Sequence, residues 1–71
     1  MTDIELLKSK IKESGMTVAA IARKAKMDRT TLYNRLKGRG EFTASEIVYI
    51  TEAMRLTQLE RDEIFLSKNV I

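Results

Sequence analysis

A chain of 71 residues is long enough for one compact domain and leaves nothing for a second core, so residues 1–71 read as a single domain. With no Cys and no His it makes no disulfide, no thiolate nucleophile and no ordinary zinc site, and a reducing cytoplasm is its expected setting. The formal net charge is only +3, but it is unevenly spread: ten Lys or Arg oppose four acids from Met1 to Gly40, an excess of six, whereas three oppose six from Glu41 to Ile71, a deficit of three.

A positive excess gathered in one part of a chain suits a surface that faces phosphates, because each Lys or Arg near a polyanion releases condensed counterions. The plainer alternative is a solvated Lys/Arg face. No apolar run approaches the roughly 20 residues that span a bilayer, and Thr2, Asp3 and Glu5 do not open a secretion signal, so no membrane association is expected. A domain this small buries only about 60% of the surface that its unfolded chain exposes, which favours economical packing of short helices.

The fold class read from the pattern is all-α, with five short helices. Each start is marked by a side chain able to accept from the unpaired first amides of a helix: Thr2, Thr17, Asp28, Thr43 and Thr57. Thr2 with Glu5, Thr43 with Glu46 and Thr57 with Glu60 also have the spacing of a reciprocal capping box. Apolar pairs that staple the entry to a helix are Met16/Ile21, Met27/Leu32 and Phe42/Ile47.

The first helix is expected from about Asp3 to Ser14, with Ile4, Leu7 and Ile11 on one face and a stop at Gly15. The second runs from Val18 to Ala25, its narrow stripe of Val18, Ile21, Ala22 and Ala25 allowing close approach. The third runs from Arg29 to Lys37 and ends at Gly38, after which Gly38, Arg39 and Gly40 form a loop. The fourth, Ala44 to about Leu56, is expected to bury Ile47, Ile50 and Met54. The fifth, Gln58 to about Ser67, is expected to bury Leu59, Ile64 or Phe65, and Leu66. No segment alternates apolar and polar residues between turn signals, so no strand is expected.

The informative stretch is Thr17 to Gly38, where two helices are separated by only Lys26, Met27 and Asp28. So short a link forces a sharp corner, the arrangement of a helix-turn-helix. At about 100° per residue the third helix places Leu32 and Leu36 on a core side. Arg29, Thr30, Tyr33, Asn34 and Lys37 then share a broad outward arc in which every member donates or accepts a hydrogen bond. Such side chains suit the major groove: Arg29 can fork onto guanine, Asn34 can pair twice with adenine, and Thr30 offers a hydroxyl or a methyl. The base-reading candidates are therefore Arg29, Thr30, Tyr33 and Asn34. The bland alternatives are that Arg29 and Thr30 fill a polar first turn and that Tyr33 packs its ring on the protein edge. Candidates for phosphate contact are Thr17 at a helix start, Lys26 in the turn, and Lys37 and Arg39 after the reading helix. Arg23, Lys24 and Arg35 are weaker candidates for phosphate contact, read at least as well as solvated charges or as partners of the acidic second half.

The run MTVAAIARKAKMDRTTLYNRLKG, Met16 to Gly38, resembles the Xre family of phage Cro and repressor-type DNA-binding domains. The five-helix layout extends the likeness over nearly the whole chain, and LTQLERDEIFL, Leu56 to Leu66, is similar to the fifth helix of Gram-positive phage members. The resemblance implies a lambda-repressor-like fold with the helix-turn-helix at helices 2 and 3. It also implies a transcriptional regulator that binds double-stranded operator DNA as a homodimer, with Arg29, Thr30, Asn34 and Lys37 at base-reading and backbone-contacting places. Three positions depart from the family pattern. Lys26 stands where Gly is frequent in the turn, so either it takes a left-handed conformation or the turn has another shape. Val18 replaces a polar residue that touches phosphate, and Arg35 stands where an apolar residue is frequent.

Without His, Cys, a glycine-rich phosphate cradle or a nucleophile with a base, no enzyme, no cofactor and no small-molecule substrate is expected. The principal rival is a protein-binding helical module, anti-repressor or antitoxin-like. Dimerisation is expected from the resemblance and from the apolar residues Phe65, Leu66, Val70 and Ile71, whose alternative is a frayed tail.

Overall fold

The computed structural model describes residues 1–67. Among them are five helices, α1 (Ile4–Ser14), α2 (Val18–Lys24), α3 (Arg29–Leu36), α4 (Ala44–Met54) and α5 (Gln58–Phe65), and no strand. None of the five is long and apolar enough to cross a membrane.

Four of the five expected caps hold their helices. The side-chain oxygens of Thr17, Asp28, Thr43 and Thr57 accept from the amides of Ala20, Thr30, Glu46 and Glu60. At Thr43 and Thr57 the glutamate reaches back to the cap amide at 2.9 Å, closing a capping box. At α1 the expectation of Thr2 is corrected: Asp3 is the cap, its carboxylate accepting from the Leu6 amide at 3.1 Å. A carboxylate is the stronger acceptor for an amide at a helix start. Glu5 pairs instead with Lys8 at 3.5 Å, so no box forms from Thr2 and Glu5.

The first helix ends at Ser14 as the pattern predicts, whereas α2 to α5 stop one or two residues early, and backbone chemistry explains three of these ends. Lys26, Gly38 and Arg55 take left-handed φ values of 56°, 83° and 54° just beyond α2, α3 and α4. Each donates its amide back three residues, and the next residue donates back five: Lys26 to Arg23 and Met27 to Ala22, Gly38 to Arg35 and Arg39 to Asn34, Arg55 to Glu52 and Leu56 to Thr51. This is the Schellman closure, which satisfies orphan carbonyls and forbids helical continuation.

One fully buried side chain from each helix forms the centre of the core: Leu7, Ile21, Leu32, Ile50 and Ile64. Burial of each contributes about 1.5–3 kcal/mol. Ile11, Ala22, Ala25, Leu36 and Phe65 complete the buried set. α2 packs against both α3 and α4, and its buried Ala22, with Ala25 just after it, is small enough to permit that approach. Phe42 meets Phe65 edge to face, with centroids 5.3 Å apart.

Within α5 the expectation is corrected. Ile64 and Phe65 are both buried, whereas Leu59 and Leu66 are 68% and 61% exposed. At about 100° per residue, Ile64 and Phe65 direct one side of α5 to the core, and Leu59 and Leu66 fall together on the opposite side. Ile47 and Met54 of α4 are only partly buried against the core. Phe65 therefore belongs to the monomer's own interior and is withdrawn from the apolar surplus assigned to a dimer. Val70 and Ile71 lie outside the described residues.

α1 and α5 are tied by backbone and side chain. The Asp3 amide donates to the Ile64 carbonyl at 2.6 Å, the Ser67 amide to the Met1 carbonyl at 3.1 Å, and Lys10 Nζ lies 3.1 Å from Glu60 Oε2. Glu60 is held below the usual carboxylate range, first by the Thr57 amide and then by Lys10. Lys10 is raised above its ordinary value, chiefly by the hydrogen bond and charge of Glu60. A depressed folded carboxylate contributes stability above its unfolded pKa and loses it as pH falls through the folded one. A raised lysine loses its contribution as pH rises through its own folded value.

Two outcomes follow from these ends and ties. The stability advantage of the native chain over Glu60→Gln, which keeps a capping amide but no charge, is expected to persist near neutrality. It should shrink as pH falls below about 4, read as the difference in thermal midpoints across pH. Arg55→Gly, which relieves a left-handed non-glycine residue whose side chain has no ion pair among the described residues, is expected to stabilise by about 0.5 kcal/mol in denaturant unfolding. Arg55→Ala should give no such gain.

Candidate nucleic-acid interface

Four residues, Ala25 to Asp28, carry the chain from α2 into α3. Ala25 donates to Ile21 at 2.8 Å, and Lys26 and Met27 then close the end of α2. Asp28 immediately caps α3, its carboxylate 2.8 Å from the Thr30 amide. Lys26 is the left-handed residue of the corner, so of the two possibilities open in the sequence the chain takes the strained lysine. Non-glycine residues pay about 1–2 kcal/mol for that conformation. Its ammonium lies 5.9 Å from the centre of the half-exposed Tyr49 ring on α4, at the outer range of a cation–π contact. Met27 packs against the core beneath the corner.

The side of α3 that holds Leu32 and Leu36 is buried. On the other side Arg29, Thr30, Tyr33 and Lys37 are exposed, Tyr33 to 45%, and Asn34 is half-buried. The side chains of these five make no hydrogen bond or ion pair among the described residues, although the Asn34 carbonyl accepts from Lys37 and Arg39. Arg29 also borders an open groove with Ala19, Ala22, Arg23, Met27 and Asp28, where α2 meets the start of α3. The structure thus brings Arg29, Thr30, Tyr33, Asn34 and Lys37 onto one face, four of them exposed and Asn34 half-buried.

The remaining phosphate candidates are placed differently. Thr17 and Lys26 flank α2 at its two ends, off the α3 arc, and both are exposed. The Thr17 hydroxyl accepts from Ala20 at 3.0 Å and keeps its own proton for a partner. Val18 beside it is partly buried against the core and offers no polar contact. Arg39 is exposed in the loop after α3, one residue beyond Lys37 and Gly38.

Arg35 does not join the arc. Its guanidinium reaches Glu46 of α4 with Nε at 3.2 Å from Oε1 and Nη2 at 3.4 Å from Oε2, while Nη1 lies 3.5 Å from the Arg39 carbonyl. Arg35, a weaker phosphate candidate in the sequence, is thus paired with the acidic second half. The loop passes so close that a Cβ on Gly40, at φ 88°, would stand 2.5 Å from Arg35 Nη1. Sequence reasoning misses this contact, and Tyr49 beneath Lys26 as well. Glu46 carries a visible capping signal, and nothing in its spacing from Arg35 announces a second role.

Gly40→Ala is expected to destabilise the fold by about 1 kcal/mol in denaturant unfolding, because the added methyl both displaces the Arg35 guanidinium and occupies a left-handed conformation. The chain matches no family model, no curated protein and no solved structure.

Proposed function

We propose that this chain is a sequence-specific DNA-binding transcriptional regulator of the Xre, Cro/repressor type, with α2 and α3 as a helix-turn-helix and α3 entering the major groove of an operator. The observation that carries the reading is the polar face of α3, whose side chains have no hydrogen-bond or ion-pair partner among the described residues, backed by Leu32 and Leu36 in the core. Eight residues at about 1.5 Å each span about 12 Å, which meets three or four base steps of about 3.4 Å. A helix with side chains is about 10–12 Å wide and fills a groove of about 12 Å.

In this reading Arg29 at the first turn forks onto a guanine, Asn34 pairs with an adenine, and Thr30 and Tyr33 make the intervening base contacts. Lys37 and Arg39 fix the helix by its phosphates, with Thr17 and Lys26 holding the backbone beside α2. The excess of six positive charges in residues 1–40 supports the placement of phosphate on this part of the molecule, and the deficit in the remainder turns that part away. A homodimer on a palindromic operator completes the proposal, and its two copies of α3 must lie about 34 Å apart to meet successive major grooves.

Exposed Leu59 and Leu66 favour a second reading, in which α5 docks on another protein and the chain is an anti-repressor or antitoxin-like module. The two diverge in salt. DNA binding through several Lys and Arg contacts weakens log-linearly as salt rises, whereas an apolar helix contact does not.

Selection of bound sequences from a random duplex pool is expected to return a palindrome. Asn34→Ala should lower the preference at one operator position by about 1–3 kcal/mol, while Lys37→Ala and Arg39→Ala weaken matched and random duplex alike. Equal losses on both duplexes for Asn34→Ala would remove it from base reading. Sedimentation that shows only monomer on the selected duplex would remove the dimer.

A further inference from the structure

We propose that Arg35 is a positioning residue for the DNA surface, holding the Lys37–Gly40 loop so that Arg39 is presented to a phosphate. The inference rests on the DNA-binding reading above and adds to it a residue that does not touch the ligand.

Three observations carry it. Arg35 lies on the far side of the α3 wheel from the centre of the reading arc, and its side chain is only 21% exposed, against 17% for Glu46. Its charge is met by both oxygens of one carboxylate, the fork geometry in which guanidinium and carboxylate bind most specifically. That carboxylate is itself fixed, because Glu46 Oε1 also accepts from the Thr43 amide at 2.9 Å. Glu46 therefore anchors the guanidinium to the first turn of α4.

From that anchor the third arm of the guanidinium reaches the Arg39 carbonyl, and the backbone of Gly40 runs against it without a Cβ between. Arg39 is held from the other side by its amide, which donates to the Asn34 carbonyl at 2.9 Å. Both peptide groups of Arg39 are thus tied, one to α3 directly and one through Arg35 to α4, while its side chain is left exposed. A lysine at position 35 has a single charged centre and cannot make the same three-way fork.

The test is the slope of log affinity against log salt on a mixed-sequence duplex, measured for folded variants checked by circular dichroism. Arg39→Ala, which removes one phosphate contact, should make the slope shallower by about 0.9. Arg35→Met should do the same, and the double variant Arg35→Met/Arg39→Ala should lose no more than either alone. Glu46→Gln keeps the cap and leaves Arg35 charged, yet it too should give the shallower slope, although it raises the net charge. An unchanged slope in Arg35→Met overturns the proposal. So does a double variant that loses about 1.8, or a steeper slope in Glu46→Gln, since either would mean that Arg35 meets phosphate by itself. Should Arg35→Met fail to fold, Glu46→Gln alone decides. Absence of salt-dependent binding by the unaltered chain would instead bring down the DNA-binding reading, and this proposal with it.

Discussion

The corner between α2 and α3 is the constraint on which the rest of the structure depends. Four residues must end one helix, reverse the chain and cap the next, and the first three do so with their amides committed: Ala25 to Ile21, Lys26 to Arg23, Met27 to Ala22. The left-handed Lys26 makes this possible, and Asp28 starts α3 without a spare residue. Because the corner is so tight, the direction of α3 follows from that of α2, and α2 is fixed by packing small side chains against two neighbours at once. The face of α3 that points away from the core is then determined by its helical register alone.

A second level of constraint comes from the acidic part of the chain. Glu46 and Glu60 each serve twice, once as the returning arm of a capping box and once as the partner of a cation from the basic part, Arg35 and Lys10. A carboxylate has room for both uses, since its two oxygens accept several hydrogen bonds. The lopsided charge of the chain is in this way partly internal: two of the positive residues of the first part are spent on folding, and the cations that remain exposed include Arg29, Lys37 and Arg39.

Helix starts were readable in the sequence because they depend on one side chain and the amides next to it. Thr17, Asp28, Thr43 and Thr57 needed only their neighbours, and the misassigned Thr2 lost to an adjacent Asp3 that differs in charge, which the pattern of spacing does not weigh. The polar arc of α3 was readable for a similar reason, since Leu32 and Leu36 leave a single way to orient an eight-residue helix. In α5 the pattern is ambiguous: Leu59, Ile64, Phe65 and Leu66 are all apolar, and the packing of α1, α4 and Phe42 selects the middle pair. The Arg35–Glu46 fork was invisible because it joins residues from different helices across a loop whose path depends on Gly38 and Gly40.

The reciprocal bonds between the two ends of the described chain, Asp3 to Ile64 and Ser67 to Met1, have a mechanical consequence. Chain ends ordinarily fray one residue at a time, independently of each other. Here neither can peel away without releasing the other, so the first turn of α1 and the last turn of α5 open as one cooperative unit. A pull on either of these segments is therefore felt at the same seam, where backbone bonds join the two helices beside the ion pair of Lys10 and Glu60.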